Sequence, residues 1–255
     1  MSEVSSRSAV WAGRAGGGPA CADVFDPLAD FLGRPRHSAE KDFRHCRQGP
    51  ATCQPTSIDR LLSCVRRKEV ATTRTALLVI DMLNDFVDGV LANPSAKDIV
   101  APISSLVEQA RGSDGWAVVF VNDAHRLSDV ELRVFPPHAM AGTTGAAVID
   151  ELRPVPTDAV VEKRFYSAFT ETDLDATFSS REVGRLVLVG QHTDCCIRHT
   201  SYDAFARGYE LVVCRDATTV FAAGDDEPLS TRQERALDYL RRYYGVRLET
   251  HTTID

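Results

Sequence analysis

The apolar run Leu186-Val187-Leu188-Val189 stops at Gly190 and is followed by Gln191-His192-Thr193-Asp194-Cys195-Cys196-Ile197. This pattern places a cysteine at the first turn of a helix that follows a strand. Backbone N–H groups at such a terminus lack partners and carry the positive end of the helix dipole, which favours a thiolate and supplies oxyanion donors. Free cysteines also serve as small buried apolar residues, so the turn needs reactive neighbours before it implies chemistry. Other strand ends offer them. Asp81 follows one apolar run, Asn122-Asp123-Ala124-His125 a second, and Glu162-Lys163-Arg164 a third. A carboxylate, a lysine and a cysteine at one sheet edge suit acyl transfer. Asp81 takes the thiol proton, Lys163 holds the thiolate and orients Asp81, and Cys196 attacks a carboxamide carbonyl.

The elements that must hold these residues are legible from residue 75 onward. Apolar, β-branched runs recur at 76–80, 116–121, 159–161, 186–189, 211–213 and 246–248. Continuous rather than alternating apolar strands imply burial on both faces, as in a parallel sheet. Segments of helical period separate them at 99–111, 173–180, 196–207 and 228–244. Thr172 and Ser230 read as N-caps, and Gly208 and Gly245 as C-terminal stops. The expected fold is a three-layer α/β/α sandwich with a mostly parallel, Rossmann-like sheet of about six strands. Such sheets carry their chemistry at the carboxyl ends of the strands.

Three segments in order then resemble the isochorismatase-like cysteine hydrolases, from about residue 75 to about residue 220. They are Asp81-Met82-Leu83-Asn84-Asp85-Phe86, Lys163 ahead of Tyr166-Ser167-Ala168-Phe169, and Thr193-Asp194-Cys195-Cys196-Ile197. The resemblance implies Asp81, Lys163 and Cys196 as the catalytic set, with Cys195 left to packing. It also implies a cis peptide at Gln191–His192, with the N–H groups of His192 and Cys196 as the oxyanion hole. Asp123-Ala124-His125 and Phe135-Pro136-Pro137-His138, with Ala141-Gly142-Thr143-Thr144-Gly145, resemble the nicotinamidase branch. That branch implies a divalent metal, Zn with Mn or Fe as alternatives, held by Asp123, His125, His138 and Glu131. It further implies Phe86, Phe135 and Tyr166 as substrate contacts, and hydrolysis of nicotinamide to nicotinate in NAD salvage through a thioester.

Several positions depart from that branch: Phe135 replaces a usual Trp, Leu83 a common Gln, and His192 a small residue. Metal-independent amidohydrolases of the same family act on ureidoacrylate, carbamoylated amines, biuret or maleamate, and form the alternative reading. A further alternative is a non-catalytic or redox-sensing protein in which Cys195 and Cys196 oxidise together. Composition narrows the partners. With 255 residues, 44% hydrophobic and 25% charged, the chain can bury a full core. A net charge of −7 gives no reason to expect nucleic acid, and no apolar run is long enough to span a membrane. Seven irregularly spaced cysteines and no uninterrupted apolar leader point to a reduced, cytoplasmic setting. Residues 1–74 carry 12 Lys+Arg against 8 Asp+Glu, are rich in Gly, Ser, Arg and Pro, and read as a largely disordered extension preceding a hydrolase domain at 75–255. His45, Cys46, Cys53 and Cys64 in it match no zinc spacing. Homo-oligomers are implied by the resemblance.

Overall fold

The computed structural model describes residues 74–221 and 227–255. The expectation for the extension lies outside these residues. Six strands form one sheet: β1 (Arg74–Ile80), β2 (Trp116–Asp123), β3 (Ala159–Lys163), β4 (Val183–Gln191), β5 (Glu210–Thr219) and β6 (Arg247–Glu249). Their order is β3-β2-β1-β4-β5-β6, and every neighbouring pair is parallel. The helices are α1 (Asn84–Val87), α2 (Val100–Arg111), α3 (Leu174–Ser180), α4 (Cys196–Arg207) and α5 (Leu229–Tyr244). Among the described residues, none is long and apolar enough to cross a membrane.

The strand period of two explains why β1 is apolar throughout. Ala76, Leu78 and Ile80 enter a core shared with α3, α4 and α5, while Leu77 and Val79 enter a second core shared with α2. Each of these fully buried Leu, Ile and Val side chains contributes roughly 1.5–3 kcal/mol. Strand order reverses between β1 and β4, so a crevice opens at their carboxyl ends, where ligands bind in open α/β sheets.

Gly190 makes that crevice tight. Its φ is +104°, and a Cβ there would lie 2.1 Å from the Ile80 carbonyl oxygen. Gly208 and Gly245 end α4 and α5 in the left-handed conformation, as expected. Ser230 does not cap α5. The helix starts at Leu229 because Pro228, with φ −56°, takes the cap position two residues earlier. Thr172 is not the cap of α3 either: Asp173 holds that position, and the Thr172 hydroxyl one residue earlier accepts from the Leu174 N–H at 3.4 Å. Lys163 is the last residue of β3, so the side chain expected beyond the strand is fixed by its ladder.

Candidate active site and metal centre

Asp81, Lys163 and Cys196 meet below the crevice. Lys163 Nζ lies 2.8 Å from Asp81 Oδ2, 2.5 Å from Asp123 Oδ1 and 3.6 Å from Cys196 Sγ. The Asp123 N–H donates to Asp81 Oδ1 at 2.9 Å. All four residues are buried. Asp81 has φ +53°, a left-handed conformation that is costly outside glycine and tends to persist at functional positions. Gln191 holds that turn from below: its Nε2 donates to the Asp81 carbonyl at 3.1 Å, and its Oε1 accepts from Asn93 Nδ2 at 3.2 Å.

Burial, reinforced by the charge of Asp123, raises the Asp81 carboxyl to about 6 against the lowering pull of Lys163. Burial also opposes charge on Lys163, but Asp123 and Asp81 outweigh it and hold the ammonium well above its usual range. The helix terminus does not lower the Cys196 thiol as the sequence led one to expect. Its hydrogen bond with Cys195 and its burial push it well above the ordinary thiol range. The Cys195 thiol is drawn down to about 7 by Cys196 and by His199. Cys196 at rest is thus a neutral thiol beside a carboxylate able to take its proton.

The Gln191–His192 peptide is cis. The His192 carbonyl accepts from the Cys195 and Ile197 N–H groups at 3.0 and 3.1 Å. Between them, the Cys196 N–H occupies the first position of α4, where no intrahelical acceptor exists. The His192 ring packs edge-on against Phe86 and Phe221, and burial lowers its pKa to about 4, so it is neutral.

Asp123, His125, Glu131 and His138 form a second buried cluster whose ligand atoms all lie within 4.8 Å of one another. His125 Nε2 is 3.7 Å from Asp123 Oδ2 and 3.8 Å from Glu131 Oε2, and His138 Nε2 is 3.7 Å from Glu131 Oε1. Asp123 Oδ2 and both Nε2 atoms are buried with no hydrogen-bond partner among the described residues. Three orphaned acceptors aimed at one point fit a divalent cation, and an N/O donor set suits Zn²⁺, Mn²⁺ or Fe²⁺. His138 Nδ1 donates to the Pro136 carbonyl at 2.7 Å, which leaves Nε2 with a lone pair. Glu131 reaches the cluster across a short loop because a turn at Asp129 and the 3₁₀ turn Val130–Arg133 swing it back. Asp81, Asp123 and Cys196 also lie close enough to be ligands, but Lys163 occupies the space among them.

A cavity of about 250 Å³ opens above both clusters, smaller than the ~300–1,000 Å³ of drug-sized sites. Phe86 and Phe135 line it, each edge-on to His138 at ring distances of 5.4 and 6.1 Å. Tyr166 does not. Ser167 Oγ donates to Asp203 and the Ala168 N–H to Thr200 Oγ1, which pins this loop on α4. The Tyr166 ring accordingly lies against His199 in an adjacent groove. Phe221, Arg232 and Asp194 line the cavity without having been singled out in the sequence. Asp85 was also missed. Its carboxylate accepts from the Ala139 N–H at 2.8 Å and would collide with a side chain at Gly145, so it fixes the loop that carries His138.

The isochorismatase domain model matches residues 75–250. N-carbamoylsarcosine amidase from Thermoplasma acidophilum is 38% identical with a TM-score of 0.64, covering 71% of this chain and 99% of that one. The nicotinamidase PncA from Bacillus subtilis is 31% identical with a TM-score of 0.60, covering 69% and 99%. The pyrazinamidase of Pyrococcus horikoshii, solved in complex with zinc, is 26% identical with a TM-score of 0.61, covering 69% and 99%. With its matched domain, its parallel sheet and this strand-end site, the chain belongs to the isochorismatase family of hydrolases that act on amide C–N bonds.

Proposed function

We propose that the protein releases ammonia from a small planar carboxamide, nicotinamide, through a thioester on Cys196. The observation that carries this reading is the set of buried, unpartnered Asp123, His125 and His138 atoms opening onto a cavity lined by Phe86 and Phe135. Asp81 takes the thiol proton as the sulfur attacks the amide carbon. The oxyanion forms beside the Cys196 N–H, and the His192 N–H is assigned the second donor role. Collapse expels the amine, which leaves as ammonia with the proton from Asp81. Water then hydrolyses the thioester to the acid and restores the thiol. Lys163 keeps its charge throughout and balances Asp81 and Asp123 as the proton moves. Asp123, His125, Glu131 and His138 would hold a divalent ion, which would supply Lewis-acid binding and orientation of a ring nitrogen.

Arg232 favours a second reading. It lies on the cavity wall with its Nε donating to Asp194 at 2.8 Å, and a cation there suits an acidic substrate such as a carbamoylated amino acid. Ammonia release from nicotinamide and from N-carbamoylsarcosine, each with and without a strong chelator, separates the two. The nicotinamide reading expects the higher kcat/KM on nicotinamide and its loss on chelation. Undiminished turnover in chelator, or preference for the carbamoylated acid, would overturn it. Cys196→Ala should fall to background on either substrate, whereas Cys195→Ala should retain activity.

A further inference from the structure

Asp129 is a buried carboxylate that the reaction above does not use. Its oxygens already accept from four donors. Oδ2 faces His125 Nδ1 at 3.2 Å and accepts from the Arg126 N–H at 2.9 Å. Arg164 Nε donates to both oxygens at 3.1 and 3.2 Å, and its Nη2 donates to Oδ1. A carboxylate offers about four lone-pair sites, so Asp129 is saturated and has none left for a metal. What it fixes is His125. An ionised acceptor at Nδ1 requires that nitrogen to carry the proton, which leaves the lone pair on Nε2, the atom beside Asp123 and Glu131.

Arg164 directly follows Lys163, and the strand period sends successive side chains to opposite sides. Lys163 turns to Asp81 and Asp123, and Arg164 turns to Asp129. Two adjacent residues at the end of β3 therefore supply one cation to the nucleophile and one to the support of His125. The two histidines are not supported equally. His138 Nδ1 donates to a neutral carbonyl, whereas His125 Nδ1 donates to a carboxylate and is the stronger electron donor for it.

We propose that Asp129 and Arg164 are positioning residues for the divalent cation: the pair locks His125 in its Nδ1–H form with Nε2 turned to Asp123, Glu131 and His138, and so sets the affinity of that site. This rests on the metal reading under Proposed function. The test measures the zinc dissociation constant of the full chain by competition with a chelator of known affinity. Asp129→Ala is expected to weaken zinc binding by about 10–100-fold. Asp129→Asn keeps an acceptor oxygen but loses the charge and is expected to fall between it and the parent. Arg164→Gln should weaken binding, and Arg164→Lys should recover part of the loss.

Nitrogen-15 spectra of the zinc-free chains supply a readout that a merely structural ion pair would not move. Recorded at a pH alkaline enough to keep the imidazole neutral, His125 should show one protonated Nδ1 in the parent and a mixture of tautomers in Asp129→Ala. Affinities within twofold of the parent in folded variants, or an unchanged His125 tautomer, would overturn the proposal. Should Asp129→Ala fail to fold, Asp129→Asn and the two Arg164 variants decide by the same criteria. A parent chain that binds no zinc at one equivalent would instead sink the metal reading, and this inference with it.

Discussion

Lys163 is asked to neutralise two buried carboxylates at once, and this sets how the reaction should respond to pH. Asp81 must be ionised to take the Cys196 proton, and burial has raised its pKa to about 6. The sign follows: protons added below that value occupy the base, so kcat/KM should fall as pH drops through about 6. Lys163 lowers the Asp81 pKa, so Lys163→Gln should move this acid limb upward as well as reduce kcat. Breaking the buried pair should also cost about 3–5 kcal/mol of stability. A pH–rate profile with the acid limb unmoved in Lys163→Gln would remove Lys163 from control of the base. Cys196, Asp81 and Lys163 were legible in the sequence because each stands at the end of an apolar run. Asn93, Asp129 and Phe221 were not, because they sit in irregular loops where no period marks which way a side chain points. The thiol of Cys196 was misread for another reason: the helix terminus was visible, but the degree of burial and the hydrogen bond it donates to Cys195 were not.

The strands and long helices were readable because β1, β2, β4 and β5 are buried on both faces and α2 to α5 keep one apolar stripe. Their ends were less so. α1 is a single turn, too short to show a period, yet it presents Phe86 to the cavity. The end of β4 concentrates the geometric demand. Gly190 combines φ +104° with a near-contact to the Ile80 carbonyl, whereas Gly208 has φ +84° and open space around it. Both Ala variants carry the left-handed penalty of roughly 1–2 kcal/mol. Only Gly190→Ala adds a backbone clash, on the order of 1–3 kcal/mol more. Thermal unfolding should therefore show a clearly larger loss for Gly190→Ala than for Gly208→Ala, with activity lost even where the variant stays folded. Equal losses would mean that β1 and β4 can part without consequence for the site.

Across the whole molecule, the buried site is short of positive charge. Among the described residues, Asp81, Asp123, Asp129 and Glu131 face only Lys163 and Arg164, with His125 and His138 turned as neutral acceptors in the proposed metal-bound state. With both histidines neutral, two negative charges are left over, and one divalent cation would cancel them. Because that ion binds the assembled cluster and not the unfolded chain, its binding energy adds to the stability of the whole sheet. At a free concentration of 100 times its dissociation constant the gain is about 2.7 kcal/mol. For a chain of this size, that raises the unfolding midpoint by roughly 5–10 °C. Calorimetry with and without zinc should show this shift in the parent and in Cys196→Ala, which leaves the cluster intact. His138→Ala removes one orphaned acceptor from the cluster and should lose most of it. An equal shift in His138→Ala would place the stabilising ion elsewhere in the molecule.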